Sequence, residues 1–171
     1  MPCRPRFFTL LLAFCLYIPL FSACSASSTA SPTALLEAMC AAECPLPAGR
    51  IYVRSAPQDS DSHLGDELLA MTFGNGALPP EIDEVTDAAI FLSYTNPCEL
   101  AVFRCKTADG TDAVAAMCLR RLDFLKTHRI DQNSETDAYL CSARVTVWGK
   151  WVIFTVSSDP DAALRALKRV A

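Results

Sequence analysis

An uncharged, mostly apolar run stands near the start of the chain, from Phe7 to Phe21. Two arginines precede this run, and small residues lead from its end to Cys24. Its 15 residues suit the apolar part of a secretory signal better than a membrane span, which needs roughly 18 or more. The sequence therefore predicts that residues 1–23 are a signal peptide, and the folded unit has to be built from the residues after them.

The end of this run resembles a bacterial lipobox, in which small residues precede a cysteine that receives lipid. It is written Phe21-Ser22-Ala23-Cys24, with Phe21 where leucine is usual. The match predicts that Cys24 carries diacylglycerol and a fatty acid such as palmitate, anchoring the chain on the outer face of the cell membrane. Residues 24–33 then form the lipidated cysteine and a flexible tether. Two alternatives stay open: cleavage within 25–30 would give a secreted protein, and an uncut signal would itself be the anchor.

Composition limits the remaining chain to one ordinary domain, which we place at residues 34–171. Removing residues 1–23, which hold two arginines and no acid, changes the net charge from −4 to −6. A negative domain is poorly suited to nucleic acid, so the predicted contacts are the membrane, through the lipid, and an envelope protein that the sequence does not identify.

Apolar runs bounded by turn residues predict an α+β fold. Residues 87–171 show the order strand, strand, helix twice, so the sequence predicts an antiparallel sheet from two β-hairpins, each followed by a helix (ββαββα). Both helices are expected on one face, with an N-terminal helical segment packed on the sheet. The predicted elements are helices over 34–43 and 60–73, a short strand over 51–53, strands over 88–94, 100–105, 143–148 and 151–156, and helices from 111 and 160.

Three caps and one buried stripe complete the helix predictions. Thr33 and Thr111 are expected to cap the first and third helices, and Asp159, before Pro160, the last. The expected inward stripe of the third helix is Ala115, Cys118, Leu119, Leu122 and Leu125.

Several segments resemble a family of bacterial lipoproteins known only as domain of unknown function 4358. They are the stretch 99–103, the helix rich in alanine and charge after it, the stretch 149–154, and the Ser-Ser-Asp of 157–159. The similarity spans about residues 34–171 and is best over 87–171. It implies an envelope lipoprotein and brings no activity, substrate or catalytic residue.

Trp148 and Trp151 flank a Gly-Lys turn and are the candidate binding residues. Opposed across a hairpin, two tryptophans stack as a structural pair. Exposed at a hairpin tip, they instead offer a surface for a partner, a glycan or a membrane. The sequence favours the structural pair and leaves the second interpretation open.

Cys40 and Cys44 are the candidate redox or metal residues, because they stand at i and i+4 on one predicted helix face. A structural zinc site needs four ligands in close pairs, and a thioredoxin-type centre needs Cys-x-x-Cys. Cys40 and Cys44 are one close pair with three residues between them, so neither pattern is complete. Six cysteines follow Cys24, an even number that permits disulfides without requiring them. They are Cys40, Cys44, Cys98, Cys105, Cys118 and Cys141.

Catalytic patterns are missing from the sequence. His63 and His128 are the only histidines, and neither accompanies a nucleophile motif, so surface or capping roles are predicted for both. No phosphate-binding glycine loop occurs, and no cofactor is expected. The sequence thus favours a non-catalytic binding or accessory module rather than an enzyme, with a thiol-redox or metal protein as the alternative and a hydrolase last.

Overall fold

The computed structural model describes residues 30–43, 45–128 and 134–170. The predicted signal peptide, the lipidated Cys24 and Cys44 lie outside these residues. The order of elements is α1 (Pro32–Ala42), β1 (Gly49–Val53), α2 (Asp66–Phe73), a short 3-10 helix (Pro80–Glu84), β2 (Val85–Ser93), β3 (Glu99–Cys105), α3 (Gly110–Thr127), α4 (Ser134–Ser142), β4 (Arg144–Trp148), β5 (Trp151–Val156) and α5 (Pro160–Val170).

The strands form one antiparallel sheet in the order β1-β2-β3-β5-β4. The expected α+β class with an antiparallel sheet is therefore confirmed. The order ββαββα is not, because β1 joins the sheet as a fifth strand and α4 stands between α3 and β4. Helix α4 is largely polar and has no apolar stripe of helical period, which is why it was not predicted.

Helices cover both faces of the sheet, so the prediction that both C-terminal helices share one face was wrong. On one face, Phe73 of α2 packs against Phe103 and Phe154, and Arg121 of α3 pairs with Glu99. The opposite face carries α1, which packs on β2, β3 and α5. The three central strands are buried on both faces, as a sheet between two helical layers requires.

Three helix predictions need correction. Helix α1 begins at Pro32, and Ser31 rather than Thr33 caps it by accepting the Ala34 N–H at 3.1 Å. Helix α2 begins only at Asp66, because serine side chains within 60–63 bond the local backbone and compete with helix formation. Helix α3 has Asp109 at its N-cap position instead of Thr111.

The buried stripe of α3 also differs from the predicted one. Cys118 and Leu122 face the core as expected, but Leu119 is exposed. Val114 and Met117 take part instead, because the helix is rotated by about one residue relative to the predicted stripe.

The last two strands and α5 follow the prediction closely. Gly149 has a φ of 59°, which suits glycine in the two-residue turn between β4 and β5. Asp159 caps α5, since its Oδ1 accepts the Ala162 N–H at 2.9 Å, and Pro160 occupies the first turn.

Candidate functional site

An apolar pocket of about 330 Å³ lies between α2, the loop of residues 74–80 and α3. The loop turns sharply because Asn75 and Gly76 have φ values of 51° and 95°, and Gly76 donates its N–H to the Ala70 carbonyl at 2.9 Å. A side chain at Gly74 would put its Cβ 1.7 Å from the Ala77 oxygen, so only glycine fits there. The tight turn after α2 thus places the loop at the edge of the pocket.

The rim of this pocket exposes large apolar side chains, one from each of its three walls. They are Met71 of α2, Leu78 of the loop and Phe124 of α3. Exposed apolar residues gathered at one cavity are a feature of binding surfaces, whereas isolated ones are common everywhere. The volume also falls within the range of ligand sites.

Two arginines of α3 also line the pocket. Arg121 is held by Glu99 in a two-pronged ion pair, and its guanidinium lies 5.5 Å from the centre of the Phe124 ring. The same ring also stacks on His128, with centroids 4.3 Å apart. Phe124 is therefore held in place while part of it stays accessible.

Arg120 is half-exposed and pairs with Glu81 at 2.7 Å. The other carboxylate oxygen of Glu81, Oε2, is buried and has no hydrogen-bond partner within the described part of the chain. A buried acceptor is normally satisfied, so this oxygen is an exception among the described polar groups. The pocket thus combines mostly apolar walls with one accessible cation, Arg120.

The predicted binding residues Trp148 and Trp151 are opposite each other in β4 and β5, with very different surroundings. Trp151 is 7% exposed and Arg104 of β3 lies over its ring at 5.5 Å, whereas Trp148 is 40% exposed. The accessible part of this pair is therefore Trp148. Neither tryptophan lines the pocket.

Cys40 is buried in the core next to Cys98, and Cys44 lies outside the described residues. Burial, helped by Glu37 and Glu43, raises the pKa of Cys40 to about 11, and burial raises that of Cys98 to about 12. Thiols with such values stay protonated at neutral pH, which disfavours nucleophilic or metal-binding roles. His63 makes its side-chain hydrogen bond elsewhere, since its Nδ1 is 2.9 Å from the Ala56 carbonyl oxygen.

Glu43, Ser157 and Ser158 form a hydrogen-bonded cluster on the side of the sheet that carries α1. Glu43 ends α1, is 4% exposed, and accepts hydrogen bonds from the Ser157 hydroxyl, the Ser158 hydroxyl at 2.7 Å and the Ser158 N–H at 3.0 Å. All its partners come from the loop before α5. The cluster thus joins the end of α1 to the start of α5.

No family model, curated protein or solved structure matches this chain. The resemblance to the lipoprotein family stays a prediction. In the described ranges we find no group of three metal-binding side chains and no helix long and apolar enough to cross a membrane.

The pocket residues were not predicted from the sequence. Leu78 offered one signal, since it is an apolar residue within a loop bounded by Gly-Asn-Gly and Pro-Pro. Met71 and Phe124 gave none, because an apolar residue on a helix normally indicates core.

Proposed function

We propose that this protein is a lipid-anchored binding module on the outer side of a bacterial membrane, and that the pocket of α2 and α3 receives an apolar side chain of an envelope protein. The observation that carries the proposal is the exposure of Met71, Leu78 and Phe124 around one cavity. The proposal assigns no reaction to the chain.

A protein partner suits the chemistry of the pocket better than a small apolar molecule. Met, Phe and Arg are enriched in protein interfaces, and all three line this cavity. The half-exposed Arg120 adds a site for a carbonyl or carboxylate of the same partner.

The anchor is supported by the lipobox-like sequence and is tested by Cys24→Ser in the full chain. The parent is expected in the membrane fraction, because at least two acyl chains hold a protein firmly on a bilayer. The variant has no thiol on which the thioether to diacylglycerol could form, and it should lose that association. Fractionation of cells and intact-mass analysis check both points. A parent without added lipid mass would contradict the anchoring.

The pocket is tested with a matched pair of leucines, Leu78 and Leu46, which are 41% and 39% exposed. A photo-reactive residue at Met71 first captures the partner in membranes, and mass spectrometry identifies it. Leu78→Asp should then weaken binding of that purified partner at least about tenfold, because truncating an interface hot spot costs about 2 kcal/mol or more and tenfold is about 1.4 kcal/mol. Titration calorimetry measures the difference.

Leu46→Asp is the control, since Leu46 does not line the pocket. It should change the affinity less than about twofold, and both variants should keep the parent's unfolding midpoint. Equal affinity of the Leu78→Asp variant and the parent for the captured protein would rule out the pocket as its site.

A further inference from the structure

The two edges of the sheet are not equivalent. Along β1, Val53 donates its N–H to Ser62 at 2.8 Å and accepts the Leu64 N–H at 3.0 Å, so a loop covers part of this edge. Strand β4 pairs only with β5, and no other described residue bonds its backbone. An open strand edge is a template for another strand.

The sequence of β4 has few features that would prevent this edge from pairing with another strand. Arg144-Val145-Thr146-Val147-Trp148 consists mostly of residues that favour strands, and it has no lysine, proline or bulge. Its single charge, on Arg144, is paired with Asp161 of α5 at 2.6 Å.

The turn between β4 and β5 determines which groups of β4 point outward. A two-residue turn makes Trp148 and Trp151 a hydrogen-bonded pair, and such pairs alternate along an antiparallel ladder. Thr146 is therefore also bonded to β5. The N–H and C=O groups of Val145 and Val147 point away from the sheet.

We infer that β4 pairs with β4 of a second copy of this chain, antiparallel, about a two-fold axis at Thr146. This register places Val145 opposite Val147 of the other copy. Both residues have outward backbone groups, so the two symmetry-related pairs make about four hydrogen bonds. The two sheets then form one continuous sheet.

The side chains of β4 complement each other in this register. On the α3 face, Val145 meets Val147, and α3, which packs on β4, carries the exposed Leu119. Leu119 is about 140° around α3 from Phe124 and thus points away from the pocket. On the other face, Arg144 meets Trp148, repeating the contact of Arg104 with Trp151 within the chain.

The two-fold axis is perpendicular to the sheet, because each copy keeps the same helices on the same face. Both α1 helices then lie on one side of the joined sheet. If residues 24–31 tether each copy to lipid, both anchors leave from the same side and reach one membrane. This last point rests on the proposed anchoring, whereas the register of β4 does not.

The test adds one cysteine at a time to the full chain, in a Cys141→Ser background that removes the thiol exposed among the described residues. At Thr146→Cys the two Cα atoms face each other at about 4.5 Å, within the range of a disulfide. At Val147→Cys they lie diagonally about 7–8 Å apart, beyond that range. Mild oxidation of cells and a non-reducing gel report the amount of dimer.

We expect at least about tenfold more dimer from Thr146→Cys than from Val147→Cys, and loss of that excess when Val147→Lys is added. The comparison of the two cysteines stands even if the lysine variant folds poorly. Equal yields from both cysteines, or an adduct of Thr146→Cys with a different polypeptide, would overturn the inference. Neither outcome bears on the pocket, since no pocket residue is changed.

Discussion

Glu43→Ala should lower the free energy of unfolding by about 2–3 kcal/mol. The substitution removes a buried carboxylate and leaves two serine hydroxyls and one N–H without their acceptor. Hydrogen bonds to charged groups contribute about 1.5–3 kcal/mol each, and part of that is recovered when water or neighbouring groups replace the carboxylate. Urea unfolding of the purified protein, followed by circular dichroism, measures the loss.

Glu37→Ala is the matched control, because Glu37 is an exposed glutamate on the same helix. Its effect should stay within about 0.5 kcal/mol. Glu43→Gln keeps the shape and one acceptor oxygen, so we expect a loss between those of the two alanine variants. If Glu43→Ala and Glu37→Ala unfold at the same urea concentration, the cluster does not join α1 to α5.

Phe73→Ala should have the largest effect, about 3–4 kcal/mol. The ring of Phe73 meets Phe103 edge-on at 5.4 Å and Phe154 at 6.3 Å, and these residues form the core on the pocket side. Removing a buried aromatic ring leaves a cavity and loses these contacts. Helix α2 has only eight residues, so it depends on such packing for its stability. Chemical unfolding measures the loss.

Two further variants distinguish the loss of the buried ring from a general effect of changing α2. Met71→Ala, on the exposed side of the same helix, should change the stability by less than about 0.5 kcal/mol. Phe73→Leu fills most of the volume without an aromatic ring, and its loss should be smaller by at least about 1 kcal/mol. A loss for Phe73→Ala that is no greater than for Met71→Ala would mean that α2 is not fastened to the sheet through this ring.

The central part of the sheet was predictable because its strands have local signals. The run of β5 over Trp151–Val156 and the Gly-Lys turn before it were predicted with the correct bounds. Asp159 and Pro160 likewise mark the start of α5. Each of these signals lies within a few residues of the element that it predicts.

The arrangement of helices around the sheet was not predictable in the same way. Whether α3 and α5 share a face depends on long-range contacts such as that of Arg121 with Glu99, which are 22 residues apart. The mostly apolar strands that predict burial give no periodicity-2 signal when both faces are covered. The sequence therefore predicted a sheet and its helices, but assigned α5 to the wrong side.

The pocket depends on similarly distant contacts. Its rim takes Met71, Leu78 and Phe124 from three separate segments, and each one alone looks like an ordinary core or loop residue. Glu43 is a comparable case, because its partners lie 114 and 115 residues further along the chain. Only the folded chain shows that these residues meet.

The separation of α1 from α2 and α3 by the sheet gives the domain an inner and an outer side wherever lipid holds it at the bilayer. Residues 24–31 span at most about 28 Å when fully extended, which is too short for the domain to turn freely far above the headgroups. With the anchoring proposed above, the side bearing α1 would face the lipid, and the cavity beside Phe124 would face away from the bilayer.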